Sequence, residues 1–275
     1  MNRRSVLASG MALASVTAIG AAVGEHGGAN ADTAPRSPSP SEAMTVDRQR
    51  LLPGTPQETA YFEIDSGTDG PTGFVLGGVH GDEVNGYRAA EDIVGWELER
   101  GSLVVVPWAN KIAVERNTRH GPDGDLNRKF PADAEPETDL ARAIWELLRE
   151  YDPAVVLDLH RSRGIYRTHN KWVGQTIFPT AVDSAPADAE SAIAYINGVI
   201  PRTMWFHRFT KGGRLDGANP MVVHKAGADL DTPGFIVELT DFLVDLDTQI
   251  RWTKLIAEQL LARYGLERRS PEIDT

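Results

Sequence analysis

Four short apolar runs limit what this chain can become: TGFVLGGVH (72–80), SLVVVPWAN (102–110), PAVVLDLH (153–160) and GFIVELT (234–240). Each is rich in valine, isoleucine and leucine and bounded by glycine, proline or aspartate, the mark of a strand. Their apolar character is almost continuous rather than alternating. A strand of that kind is covered on both faces, as in sheets with helices above and below. Helical spacing appears in EVNGYRAAEDIVGWEL (83–98), PETDLARAIWELLREY (136–151), DAESAIAYINGVI (188–200) and LDTQIRWTKLIAEQLLARYG (246–265). Within the second of these, Leu140, Ile144, Leu147 and Leu148 form one stripe. Helices alternating with buried strands imply an α/β fold of three layers, α/β/α, around a mostly parallel or mixed central sheet. Its ligands should bind beyond the carboxyl ends of strands.

The 275 residues suit one large domain or a compact pair. A net charge of −11 argues against a nucleic-acid or anionic-membrane binder. With no cysteine, disulfides and thiolate metal sites are excluded, so a metal must use His, Asp or Glu. The start of the chain reads as an address rather than a fold. Arg3 and Arg4 precede an Ala-rich, weakly apolar stretch, and Ala29-Asn30-Ala31 has the small-x-small form of a cleavage site. The expectation is a twin-arginine export signal over 1–31, placing the protein outside the cytoplasm without stable membrane insertion after processing. Residues 32–45 are expected as a disordered Pro/Ser linker, 46–268 as the folded domain and 269–275 as a flexible tail.

Three of the four strands end in, or contain, a group that can bind a metal or move a proton. His80 and Glu83 follow the first, His160 ends the third, and Glu238 lies inside the fourth. Zinc in hydrolases takes three protein ligands and keeps a place for water, and two histidines with one glutamate form a known set. Gly81 removes the Cβ that would crowd the turn between the two local ligands. The distant histidine closes the site only when the sheet forms. Taken singly, each residue has a plainer explanation: a strand-end histidine is often a hydrogen-bonded loop residue, and Glu83 suits a helix N-terminus. Asp158, two before His160 on the same strand face, is placed either to orient that imidazole or to pair with a buried base.

HGDE (80–83), DGDLNRKFP (123–131), VVLDLH (155–160) and VEL (237–239), in that order, resemble the succinylglutamate desuccinylase/aspartoacylase family, over roughly residues 72–240. The resemblance implies a zinc carboxypeptidase-like fold in which His80, Glu83 and His160 hold one Zn2+ per chain. It implies Glu238 as the general base. Asn127 and Arg128 resemble the pair that grips a substrate carboxylate. Arg119, in NTRHG, resembles the arginine that steadies the carbonyl oxygen, although one extra residue separates it from DLNR, which leaves Arg116 as its competitor. The chemistry agrees. A carboxylate in an apolar strand has its pKa raised by burial, which suits a base, unless it serves as a buried salt-bridge partner. Arginine can hold a carboxylate with two parallel hydrogen bonds.

RSRGIYRTHNK (161–171) and PRTMWFHRFTKGGR (201–214) are basic and carry no acid, so they can steer an anionic substrate. Trp205 and Phe206, in the second, are expected in a mobile pocket wall. Only 37 residues follow Glu238, so the pocket should be open or closed by loops 161–180 and 201–233. The expected function is an exported zinc-dependent amidohydrolase or deacylase. It would cleave an amide bond of a small anionic acyl-amino-acid or peptide substrate by zinc-activated water. A metallocarboxypeptidase acting on peptide C-termini, a non-catalytic binding protein on the same scaffold, and an envelope interaction module that keeps metal for stability are the alternatives. Oligomeric state is not legible.

Overall fold

A computed structural model describes residues 43–215 and 219–269. The expected export signal, the linker up to residue 42 and the tail from residue 270 lie outside the described residues. In chain order the elements are β1 (Thr45–Leu51), β2 (Thr59–Asp65), β3 (Thr72–Gly77), α1 (Val84–Ile93), β4 (Ser102–Val106), α2 (Lys111–Arg116), α3 (Asp139–Tyr151) and β5 (Val155–Ser162). They continue with β6 (Thr176–Pro179), α4 (Ala185–Val199), β7 (Thr210–Lys211), α5 (Val222–Leu230), β8 (Gly234–Thr240) and α6 (Leu246–Arg263). The four apolar runs are β3, β4, β5 and β8, and the four periodic segments are α1, α3, α4 and α6.

The strands form one sheet in the order β1-β2-β4-β3-β5-β8-β6-β7. Its centre, β4-β3-β5-β8, is parallel throughout, while β1, β2 and β6 join it antiparallel. Alternation along each central strand divides the side chains between two cores. Val75, Val105, Leu157 and Val237 pack with α1, α4 and α6. Phe74, Val104, Val156 and Ile236 pack with α3 and α5. The three expected layers are therefore present. Each fully buried aliphatic side chain contributes about 1.5–3 kcal/mol, which is why the doubly covered strands dominate the pattern. Helix starts are fixed locally: Thr138 accepts the Ala141 N–H at α3, and Asp245 accepts the Thr248 N–H at α6.

From β3 the chain moves to β4 on one side; the crossover after β4 returns it to β5 on the other. The carboxyl ends of β3 and β5 thus flank the crevice where the connections diverge, the favoured ligand position in open α/β sheets.

Candidate active site

The turn after β3 carries His80 and Glu83 into that crevice. A Cβ on Gly81 would lie 2.0 Å from the backbone of Ala113, so only glycine lets the turn rest against α2. Glu83 occupies the position before α1, yet its side chain caps nothing. It points instead at the histidines. The β3–β5 ladder ends at the pair Gly77 and Leu159. Beyond it, side chains of α1 and the residue preceding it take over the ladder: Asn85 Nδ2 donates to the His160 carbonyl at 3.2 Å, and the Arg161 N–H donates to Glu83 Oε2 at 2.9 Å.

One donor atom from each of His80, Glu83 and His160 lies within 4.8 Å of the others, and all three residues are buried. His80 Nδ1 meets Glu83 Oε1 at 2.9 Å, and His160 Nδ1 meets Glu83 Oε2 at 2.7 Å. Each imidazole turns its other nitrogen to a carboxylate: His80 Nε2 to Asp125 at 2.9 Å, His160 Nε2 to Asp158 at 2.8 Å. Metal-binding histidines are oriented in this way. Of the two readings left open for Asp158, the structure shows the imidazole partner. Asp125 was not anticipated, although it stands two residues before Asn127 in the DLNR stretch and accepts that residue's N–H.

Electrostatics around the cluster are strongly coupled. Burial works against charge on His160, but Asp158 and Glu83 outweigh it and hold its pKa well above the ordinary value. His80 is likewise raised against burial by Asp125 and Glu83. Burial opposes ionisation of Glu83, yet His160 and His80 hold its pKa well down. Three carboxylates therefore crowd two imidazoles in a nearly dry site. That donor set fits a dication, whose charge would replace the two protons.

Glu238 faces His160 in register across β5 and β8. Burial pushes its carboxyl up to about 7. Its Oε2 is buried and has no hydrogen-bond partner among the described residues. Arg119 Nη1 donates to Glu83 Oε1 at 2.7 Å, which brings this arginine to the cluster; Arg116, its competitor, is exposed at the end of α2. The Asn127 amide is engaged: Nδ2 lies 3.3 Å from both Asp158 and His160, and Oδ1 accepts the Val222 N–H. Arg128 is exposed beside it.

His80, His160, Arg119, Asn127, Arg128 and Glu238 all border one cavity of about 570 Å³. Its outer wall comes from the two loop regions expected to close the pocket, through residues such as Tyr166, Lys171, Arg214 and Met221. A second cavity, about 850 Å³, also borders Arg119 and Glu238 but lies towards Arg161, Arg163 and Trp172. Trp205 and Phe206 do not line either cavity. They sit on a short 3-10 turn, Arg202–His207, and Trp205 is 71% exposed; Phe206 instead meets Phe242, ring centroids 5.9 Å apart.

The family described as "Carboxypeptidase controlling helical cell shape catalytic" matches residues 56–181. An N-alpha-acetyl-L-2,4-diaminobutyric acid deacetylase of Halomonas elongata is 36% identical over 100 residues, 34% of this chain and 29% of that protein. The tripeptide-bound cell shape determinant Csd4 of Helicobacter pylori superposes with a TM-score of 0.66 at 20% identity, covering 85% of this chain and 58% of the other. A succinylglutamate desuccinylase from Silicibacter gives 0.58 at 18%, covering 86% and 72%. The fold is zinc carboxypeptidase-like. The motif resemblance to the succinylglutamate desuccinylase/aspartoacylase family stands beside it. The chain spans less than a third of the deacetylase and just over half of Csd4.

Proposed function

We propose that the chain is a zinc-dependent amidohydrolase acting on a carboxylate-bearing substrate, an N-acyl amino acid or the C-terminal end of a peptide. The convergence of His80, Glu83 and His160 at the crevice, with Glu238 across from His160, carries the proposal. Zinc held by those three residues would supply Lewis-acid activation of water and carbonyl. Glu238 takes the water's proton and returns it to the leaving nitrogen as the C–N bond breaks. Its buried carboxyl, raised to about 7, suits both transfers near neutral pH. Arg119 donates to the negative charge growing on the carbonyl oxygen; loss of one such donor costs about 3–4 kcal/mol of barrier. Arg128 grips the substrate carboxylate. Asn127, which keeps its amide on Asp158 and His160, adds to that grip only by turning. The deacetylase relative and the tripeptide-bound neighbour both support an amide bond near a carboxylate.

Metal analysis of the purified chain with an amide-hydrolysis screen tests this. Glu238→Gln should lower kcat by about 10²- to 10⁴-fold while metal content stays at that of the parent. Ligand binding without turnover in the parent would instead identify a binding protein on the same scaffold. We further propose twin-arginine export, on the strength of Arg3, Arg4 and the cleavage pattern at 29–31. Replacing both arginines by lysine should leave the tagged chain in the cytoplasm; unchanged fractionation rejects that route.

A further inference from the structure

Of the two basic stretches in the sequence, the first is accounted for by the cavities. Residues 162–175 fold back on themselves, the Gly174 N–H donating to the Gly164 carbonyl and the Tyr166 N–H to the Gly174 carbonyl, each at 3.0 Å. Lys171 and Val173, within that loop, border both cavities. Trp205 and Phe206, in the second stretch, belong to neither.

They join another segment instead. Phe206 packs on Phe242 and stands 6.2 Å from Trp205, ring to ring, and His207 Nε2 lies 2.8 Å from the Phe242 carbonyl oxygen. The turn 202–207 and the loop 241–246 between β8 and α6 are thereby fastened side by side. Eight large apolar side chains are exposed among the described residues, and five of them, Trp205, Phe206, Phe242, Leu243 and Leu246, fall on these two segments. Scattered exposed apolar residues need no explanation, but a cluster does. Leu243 carries a second cost. Its φ is +55°, left-handed backbone that leucine adopts only under constraint, and its side chain is 75% exposed. From α6 the Gln249 amide holds the loop, donating to the Val244 carbonyl at 2.7 Å.

Charge indicates what covers this patch. Arg202 and Arg208 flank the aromatic turn, and no acid occurs between residues 201 and 214. Asp241, Asp245 and Asp247 flank the loop, and no base occurs between residues 241 and 250. Arg202, Arg208, Asp241 and Asp247 make no ion pair among the described residues. An apolar centre with unpaired cations on one segment and unpaired acids on the other is complementary to itself. A twofold axis near the Phe206–Phe242 contact sets each arginine segment against the acidic segment of a second copy and buries the rings between them. An anionic lipid surface suits the patch less, since the three aspartates and a net charge of −11 would be repelled by it. Independently of the proposed amide hydrolysis, we infer that segments 202–208 and 241–247 form a self-complementary interface joining two copies of this chain.

Sedimentation of the full chain from about 1 to 100 µM tests this, over concentrations at which interfaces of ordinary size associate. At physiological ionic strength, repulsion between the acidic bodies is screened beyond about 8 Å, so the local pairs decide. The parent should be dimeric at the upper end. Leu243→Asn should weaken association by about tenfold or more, while Tm of the dilute protein stays at or above the parent's, because asparagine accepts positive φ. A side chain kept for the fold alone would give the reverse, a lower Tm with association unchanged. Arg202→Glu combined with Arg208→Glu, and separately Asp247→Lys, should each weaken self-association by a similar factor. Mixed in equal amounts, these two variants should form a mixed dimer, because each of its arms then meets an opposite charge. A parent monomeric at about 100 µM, a dimer indifferent to these substitutions, or a mixture that stays monomeric overturns the inference. So does flotation of a monomeric parent with zwitterionic phosphatidylcholine vesicles that Leu243→Asn abolishes, which would make the patch a lipid contact.

Discussion

His80, Glu83 and His160 owe their protonation to one another, and this has a measurable consequence. Both imidazoles have raised pKa values in the metal-free protein, sustained by Asp125, Glu83 and Asp158. A raised histidine contributes stability that is complete below its unfolded value, about 6.5, and is lost as pH climbs through its folded value. Burial raises the Glu238 carboxyl to about 7, so its ionisation also weakens the fold as pH rises above the unfolded value. His80, His160 and Glu238 push the same way. The metal-free protein should lose Tm as pH rises above about 6.5, the unfolded histidine value, and saturating zinc should flatten that slope by replacing the protons. Scanning fluorimetry with and without chelator measures it; parallel slopes would remove the cation from the cluster. The site was legible at this scale where a residue sat beside a strand end, as with His160, or in a motif, as with Glu83. Asp125 was not, because its partner His80 is 45 positions away and joins it only in the folded crevice.

Among the elements, the junction of β3, α1 and β5 does the most to place the site. Asn85 stands in for the β3 residue that would have met the His160 carbonyl, and it also donates to Thr253 Oγ1 on α6 at 3.1 Å. Asn85→Ala leaves a buried carbonyl and hydroxyl without this donor, so unfolding stability should fall by about 1–3 kcal/mol. Zinc affinity should fall with it, since His160 loses its backbone anchor. Denaturant melts and chelator competition read the two effects; full stability and full affinity would show that the ladder's extension is dispensable. The four central strands were readable because burial on both faces gives uninterrupted apolar runs. β1 has an exposed, charged surface, β6 is four residues long and β7 two, so no such run announces them. α5 escaped because its nine residues fall short of the length at which periodicity separates helix from buried strand.

For the molecule as a whole, charge is distributed against its average. The chain carries −11, yet among the described residues the first cavity places Arg119, Arg128, Lys171 and Arg214 around one acid, Glu238. A local positive field on a negative body attracts an anionic substrate only near the mouth, and salt screens it within about 10 Å at 0.1 M. For an anionic substrate, kcat/KM should fall severalfold between low and physiological ionic strength, while a neutral amide analogue shows little change. An increase with salt would mean that repulsion from the body governs approach. The overall α/β/α order was legible because it follows from the alternation of runs and periodic segments. The cavities were not, since their walls are loops joined by backbone hydrogen bonds that leave no periodic trace.

The folded-back segment 162–175 hangs from the end of β5 and returns to the sheet at β6, while His80, Glu83 and His160, the residues placed to hold a cation, stand on other parts of the frame. The cavity wall and the candidate metal site are thus carried by separable pieces of chain. Exchanging that one stretch for a shorter or differently charged one should alter what the two cavities admit and leave His80, Glu83 and His160 where they are.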